Sequence, residues 1–213
     1  NIEELAESST FDEVTYLLIY GKLPNKSDLA NFKNKLNADN HFDDKLFRVL
    51  QDCTKGSHPM SALRTGVSYL GGMDKNSDKS DLASQESMGL KLMGKFPSLV
   101  AAINRAYLGH EMIKSNEPDY TVRFLEESFG KKPSEFEVKV FRTALILHAD
   151  HGMNASTFAS MVAISTLSDM YSAITAAISS LKGPLHGGAN EQALELLERI
   201  GSPKNDRQDN TMK

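Results

Sequence analysis

Helix starts and stops recur along this chain while strand signals are almost absent, and that punctuation restricts it to an all-α fold. Thr10 has the residue type of an N-cap ahead of Phe11 to Tyr20, Asp12 and Glu13 sit in the first turn where the helix dipole favours negative charge, and Gly21 is placed to end the helix. The same logic puts Ser27 before a helix at Asp28 to Leu36, Asp43 before Lys45 to Gln51, and Pro59 at the start of a helix running to Gly71-Gly72. Apolar periodicity predicts further helices at about 81–94, 98–114, 119–129, 134–150, 155–180 and 189–200, the long apolar stretch at 155–180 reading as one or two buried helices. Turn-rich connections lie at Met73 to Ser80 and Ser115 to Asp119, and no internal repeat is present.

Composition narrows the function classes. With 213 residues and 40% hydrophobic content, the chain can bury one sizeable core or form the larger part of a two-domain protein. A net charge of −4 argues against a nucleic-acid partner, because phosphate binding needs clustered Lys and Arg. The single cysteine, Cys53, excludes an intramolecular disulfide framework and fits a reducing compartment, so a cytoplasmic location is expected. Ser156, Ser160, Ser165, Thr166, Ser168 and Asp169 make the most apolar stretch too polar for a membrane span. The first residue is Asn1 rather than methionine, so a preceding segment is expected to lie outside the sequence.

Two clusters carry the chemistry. In Gly183-Pro184-Leu185-His186-Gly187-Gly188-Ala189-Asn190 a histidine is held between glycines, where the main chain can turn sharply and be approached closely. The second cluster is Leu147-His148-Ala149-Asp150-His151-Gly152-Met153-Asn154-Ala155-Ser156-Thr157-Phe158. Val140, Ala144, His148 and His151 fall at helical spacing, so both histidines are expected on the inward face of one helix, with Asp150, Asn154, Ser156 and Thr157 as candidate partners. His148-x-x-His151 with Asp150 and His186 has a ligand-like composition, which leaves a metal site as a minor alternative reading.

These two clusters, in this order, resemble the signature motifs of the citrate synthase family, which also contains 2-methylcitrate synthases. Further similarity runs through Ile2-Glu3-Glu4-Leu5-Ala6, through Tyr16-Leu17-Leu18 with Tyr20-Gly21-Lys22-Leu23-Pro24, and through His58-Pro59-Met60 with Leu63-Arg64-Thr65. The resemblance implies a multi-helical large domain over residues 1–202 carrying a dimer core, and condensation of acetyl-CoA with oxaloacetate to citryl-CoA followed by hydrolysis to citrate and CoA. Acetyl-CoA is then a substrate, no cofactor is needed, and a homodimer is the expected assembly. Small side chains between Ser156 and Ser180 permit the close helix approach of such a dimer core, ordinary intramolecular packing being the other reading.

The hard step in that reaction is loss of a methyl proton, for which a base and a hydrogen-bond donor must act together. By resemblance His186 is the donor to the thioester carbonyl and His151 binds oxaloacetate. His148, Asp150, Asn154, Gly187, Gly188 and Asn190 are supporting residues.

The sequence also departs from the family pattern. A histidine of a GHR-type motif and a catalytic aspartate do not follow Ile200-Gly201-Ser202-Pro203, and the substrate-clamping arginines of the small domain are absent too. Residues 203–213 form a residual tail in which Arg207-Gln208-Asp209-Asn210 resembles a stretch near the family's C-terminus. The small domain is therefore either deleted or unseen between two joined stretches, with a hinge expected near Gly187-Gly188 or Gly201. On either account the chain alone is not expected to turn over. The alternatives are a 2-methylcitrate synthase acting on propionyl-CoA and a catalytically inactive helical dimer fragment.

Overall fold

Local capping chemistry sets most of the element boundaries in the computed structural model, which describes residues 1–201. Among the described residues eleven helices form and no strand: α1 (Ile2–Ser8), α2 (Phe11–Tyr20), α3 (Lys26–Asn37), α4 (Asp44–Thr54), α5 (Pro59–Met73), α6 (Leu82–Tyr107), α7 (Tyr120–Phe129), α8 (Glu135–Leu147), α9 (Ala155–Ser165), α10 (Met170–Leu181) and α11 (Gly188–Ile200). The all-α expectation holds. Residues 203–213, read as a tail, lie outside the described residues.

Thr10 closes a full capping box: its Oγ1 accepts from the Glu13 amide at 3.3 Å, while Glu13 Oε2 accepts from the Thr10 amide at 2.7 Å. Gly21 ends α2 at φ 74°, a conformation in which a Cβ would be strained. Asp43 caps α4 as expected. The cap of α3 is Asn25 and not Ser27, its Oδ1 accepting from the Asp28 amide at 2.9 Å. α1 is a further helix that the sequence pattern does not announce, capped by Asn1.

The helices expected at 81–94 and 98–114 are one helix, α6, which runs through Pro97. Proline removes one ladder donor but does not stop a helix whose two faces are held by neighbours. The Gly94 carbonyl near this point accepts from the buried Arg123 Nη2 at 2.9 Å. The helix ends at Tyr107 because Gly109 takes φ +74°, so residues 108–114 are not helical.

α6 is the spine of the core. Leu46 and Leu50 of α4, Val67 of α5, Leu99 of α6, and Tyr171 and Ile178 of α10 are buried in one cluster, and full burial of each such side chain contributes roughly 1.5–3 kcal/mol. A Cβ on Gly71 would lie 2.6 Å from Tyr171 Cβ, so α5 and α10 approach at a distance only glycine permits. The Tyr171 hydroxyl adds a 2.8 Å bond to Asp74 Oδ2. α10 is thus seated firmly on α5, and its far end carries the turn that holds His186.

Residues 155–180 divide into α9 and α10 at a break in which Leu167 adopts φ 62°. The expectation that this stretch is buried is only half right. Tyr171, Ala173 and Ile178 of α10 are buried, whereas α9 has no buried residue and exposes Phe158, Met161 and Val162.

Candidate active site

α8 ends before the first motif is complete. His148 is its C-cap, with φ −103°, and His151 lies in the loop beyond, so the helix expected to reach Asp150 stops at Leu147. Asp150 Oδ1 accepts from the Gly152 amide at 2.9 Å and Gly152 takes φ +60°, a local turn that competes successfully with helical periodicity. The expected inward face is therefore corrected. Val140 is 53% exposed and both His148 and His151 are exposed, because α8 turns Ile146 and the Phe141 ring inward instead, Phe141 stacking on Phe124 at 4.8 Å.

The supporting residues of this motif act on backbone. His148 Nδ1 is 2.7 Å from the Ala144 carbonyl, an acceptor only, so Nδ1 carries the hydrogen. Asp150 orders the loop through the Gly152 amide and makes no hydrogen bond to the His151 ring. Asn154 caps α9, accepting from the Thr157 amide at 2.9 Å.

The second motif folds back on the end of α10. The Gly183 carbonyl accepts from the His186 amide at 3.0 Å and the Gly188 amide at 3.2 Å, while the Gly187 amide donates to the Leu181 carbonyl at 2.9 Å. A Cβ on Gly187 would lie 2.3 Å from that carbonyl oxygen. Neither Gly187 nor Gly188 has a positive φ, so glycine is required at 187 for close packing against α10 and not for an unusual dihedral. Gly187 and Gly188 open α11 without a side-chain cap, and Asn190 lies exposed in its first turn.

The two motifs meet at one contact. Ser156, in the first turn of α9, places its Oγ 2.8 Å from His186 Nε2 and 3.0 Å from the Ala177 carbonyl. A hydroxyl has one hydrogen, so two neutral states are available. If Ser156 donates to Ala177, His186 carries its hydrogen on Nε2 and donates to Ser156; if Ser156 donates to Nε2, the ring hydrogen is on Nδ1. Both contacts are hydrogen bonds at once only in the first state; in the second the Ala177 carbonyl keeps its α10 ladder donor alone. Sequence reasoning placed Ser156 near the His148–His151 pair; the structure gives it to His186.

A cavity of about 730 Å³ lined by Tyr20, Leu90, Met93, Phe96 and Ile174 lies elsewhere, and none of the three motif histidines borders it. Among the described residues no group of three or more His, Cys, Asp or Glu converges in a metal-binding arrangement, and no helix is long and apolar enough to cross a membrane.

Residues 1–212 match the family described as "Citrate synthase, C-terminal domain". The chain is 43% identical over 202 residues to a citrate synthase of Deinococcus radiodurans, covering 94% of this chain and 54% of that protein. It is 40% identical over 202 residues to a 2-methylcitrate synthase of Shewanella oneidensis, covering 93% and 52%. Among solved structures, citrate synthase from Pyrobaculum aerophilum superimposes with a TM-score of 0.87 at 38% identity, covering 95% of this chain and 53% of that one. Citrate synthase from Thermoplasma acidophilum, in a ternary complex with carboxymethyl coenzyme A and oxaloacetate, gives 0.86 at 30% identity, covering 100% and 57%. The chain spans about half the length of the curated relatives it matches.

Proposed function

The chain belongs to the citrate synthase family, and from that premise we propose that it carries the His186 half of an active site that condenses an acyl-CoA thioester with oxaloacetate and hydrolyses the product to citrate and CoA. The observation that carries this reading is the Ser156–His186 contact at 2.8 Å. A neutral imidazole that donates to a developing enolate oxygen must hold its hydrogen on the nitrogen facing that oxygen. With Ser156 donating to Nε2, Nδ1 holds it and is the free donor. A Ser156 hydroxyl turned from Ala177 to Nε2 gives that tautomer without charging the ring.

His151, exposed in the loop ahead of α9, is proposed to bind oxaloacetate, with Asp150 and the Asn154 cap ordering the loop that presents it. The chemistry needs no cofactor beyond the two substrates. By the family's pattern a second histidine and an aspartate complete the chemistry, so turnover is proposed for a chain of its relatives' full length, with residues 1–202 as the large domain. Half-buried Cys53, a lone thiol, fits a cytoplasmic setting.

We place a second copy of the chain against α9. Phe158, Met161 and Val162 are exposed there, Leu167 is 85% exposed and Leu185 is 99% exposed, an apolar surface of the kind that marks an interface.

Propionyl-CoA is the competing acyl donor, since relatives of both kinds match at similar identity. The test is oxaloacetate-dependent CoA release by a full-length form with acetyl-CoA and with propionyl-CoA. Faster release with acetyl-CoA supports the citrate synthase reading and faster release with propionyl-CoA assigns the 2-methylcitrate activity. No release with either, from a folded full-length protein, would leave the inactive helical dimer as the correct reading.

A further inference from the structure

His58 holds the starts of two helices at once. It is the N-cap of α5, its Nδ1 accepting from the Met60 amide at 3.2 Å. With Nδ1 committed as an acceptor, the neutral ring carries its hydrogen on Nε2, and Nε2 lies 3.0 Å from Glu191 Oε1. A neutral imidazole can turn its Nε2 hydrogen toward Glu191, and a protonated one makes an ion pair with it. Glu191 is in the first turn of α11, five residues after His186 in the sequence.

α11 has little else to fix it. It has no buried side chain and no side-chain N-cap, and no other helix packs broadly on it. Among the described residues the His58–Glu191 pair is the only polar side-chain contact from α11 to another element. The helix is otherwise steered by the backbone turn in which the Gly183 carbonyl accepts from both His186 and Gly188. The direction in which α11 leaves that turn and the placement of His186 are therefore mechanically linked.

We propose that His58 is a positioning residue which, through Glu191, ties α11 to α5 and so holds the His186 turn in place. The proposal rests on the reading of His186 given above. Both partners are partly exposed, 40% and 57% at the side chain, and an exposed pair contributes little to global stability. Its effect is local, on a group whose misplacement by about 1 Å can cost on the order of 100-fold in rate.

Four variants separate the tether from the cap. His58→Asn keeps an acceptor for the Met60 amide, asparagine being a favoured N-cap, but is too short to reach Glu191. Glu191→Ala removes the other partner. Glu191→Gln keeps a carbonyl acceptor for the Nε2 hydrogen, and the double variant His58→Asn/Glu191→Ala tests whether the two residues act as a unit.

The first readout is amide hydrogen exchange in the 213-residue chain, which does not depend on catalysis. Exchange over residues 183–191 should rise about threefold or more in His58→Asn and in Glu191→Ala, with Tm and exchange in α5 unchanged, Glu191→Gln behaving as the parent and the double variant no worse than either single. In an active full-length form, kcat should fall about tenfold with the oxaloacetate KM unchanged. Unchanged exchange in both single variants, additive effects in the double, or damage by Glu191→Gln equal to that of Glu191→Ala would overturn the tether. Raised exchange in a protein whose full-length parent releases no CoA would support the tether and sink the reading of His186.

Discussion

Ser156 Oγ stands 2.8 Å from His186 Nε2, and this contact joins two motifs that are thirty residues apart in the chain. Because Ser156 can donate to only one of His186 and Ala177, the choice of partner sets the ring tautomer. Ser156→Ala removes that control and leaves both tautomers accessible. In a full-length form kcat should fall about 10- to 100-fold, the loss corresponding to roughly 1–3 kcal/mol for one hydrogen bond to a positioned polar group, with the KM for either substrate little changed. Steady-state CoA release measures it; an unaltered kcat would show that Ser156 does not hold the ring.

His186 and His151 are separable by kinetics. His151 is exposed and His186 only half-buried, so alanine at either should alter stability by no more than about 0.5 kcal/mol. His186→Ala should lower kcat sharply, by roughly 100-fold or more for loss of a transition-state donor, whereas His151→Ala should mainly raise the oxaloacetate KM. Thermal unfolding and a two-substrate rate matrix check both, and a His186→Ala enzyme with normal kcat would remove that residue from the chemistry.

The features legible in the sequence are those fixed by local chemistry. Thr10 with Glu13, Gly21, Asp43 and Pro59 act on their own turns, and each marks its boundary as expected. Features decided by tertiary packing were hidden: Pro97 reads as a break until Arg123 and the α3 backbone are seen to clasp α6. The stripe through Val140 and His148 failed for a related reason, since the Asp150–Gly152 turn ends the helix before the second histidine is reached. The motif residues stand out in the sequence, whereas their contacts do not. Nothing in the spacing of Ser156 or His58 announces His186 or Glu191, because both contacts cross between helices.

The α9 surface should govern association. Leu167 combines φ 62° with 85% exposure, and a non-glycine residue in that region carries a cost of about 1–2 kcal/mol that burial against a partner would offset. Val162→Glu places a charge amid this surface and should convert a dimer to a monomer while leaving the helical circular dichroism intact. Light scattering across a concentration series measures it; a parent chain that is monomeric at all concentrations would refute the interface.

Acid stability should depend on Asp74. Burial pushes its carboxyl up, but the bonds from the Asn76 amide and the Tyr171 hydroxyl outweigh that and hold it below the ordinary value of 3.8. A carboxyl depressed in the folded state contributes stability above its unfolded pKa and loses it as pH falls through the folded one. Tyr171→Phe removes one of these bonds, so it should destabilise the chain by about 1 kcal/mol at pH 7, the gap to the parent narrowing below about pH 4. Urea titrations at several pH values report it, and a gap that widens on acidification would contradict the assignment.

Gly94 should be the least replaceable glycine of the core. A Cβ built there would lie 2.0 Å from the Leu36 carbonyl oxygen and 3.0 Å from its carbon, and these are main-chain atoms of α3 that no rotamer change can move aside. The Gly94 carbonyl also accepts from Arg123 Nη2 at 2.9 Å, a bond that holds the only buried guanidinium among the described residues. Pushing α3 from α6 would disturb both the Phe32, Leu36 and Leu90 cluster and that bond. Gly94→Ala should therefore destabilise by about 3 kcal/mol or more, beyond the helix-propensity gain of about 1 kcal/mol that alanine ordinarily brings. Gly72→Ala, with nothing within 4 Å of the added atom, should be neutral or stabilising, and equal unfolding midpoints for the two variants would show that α3 does not lie on α6 as described.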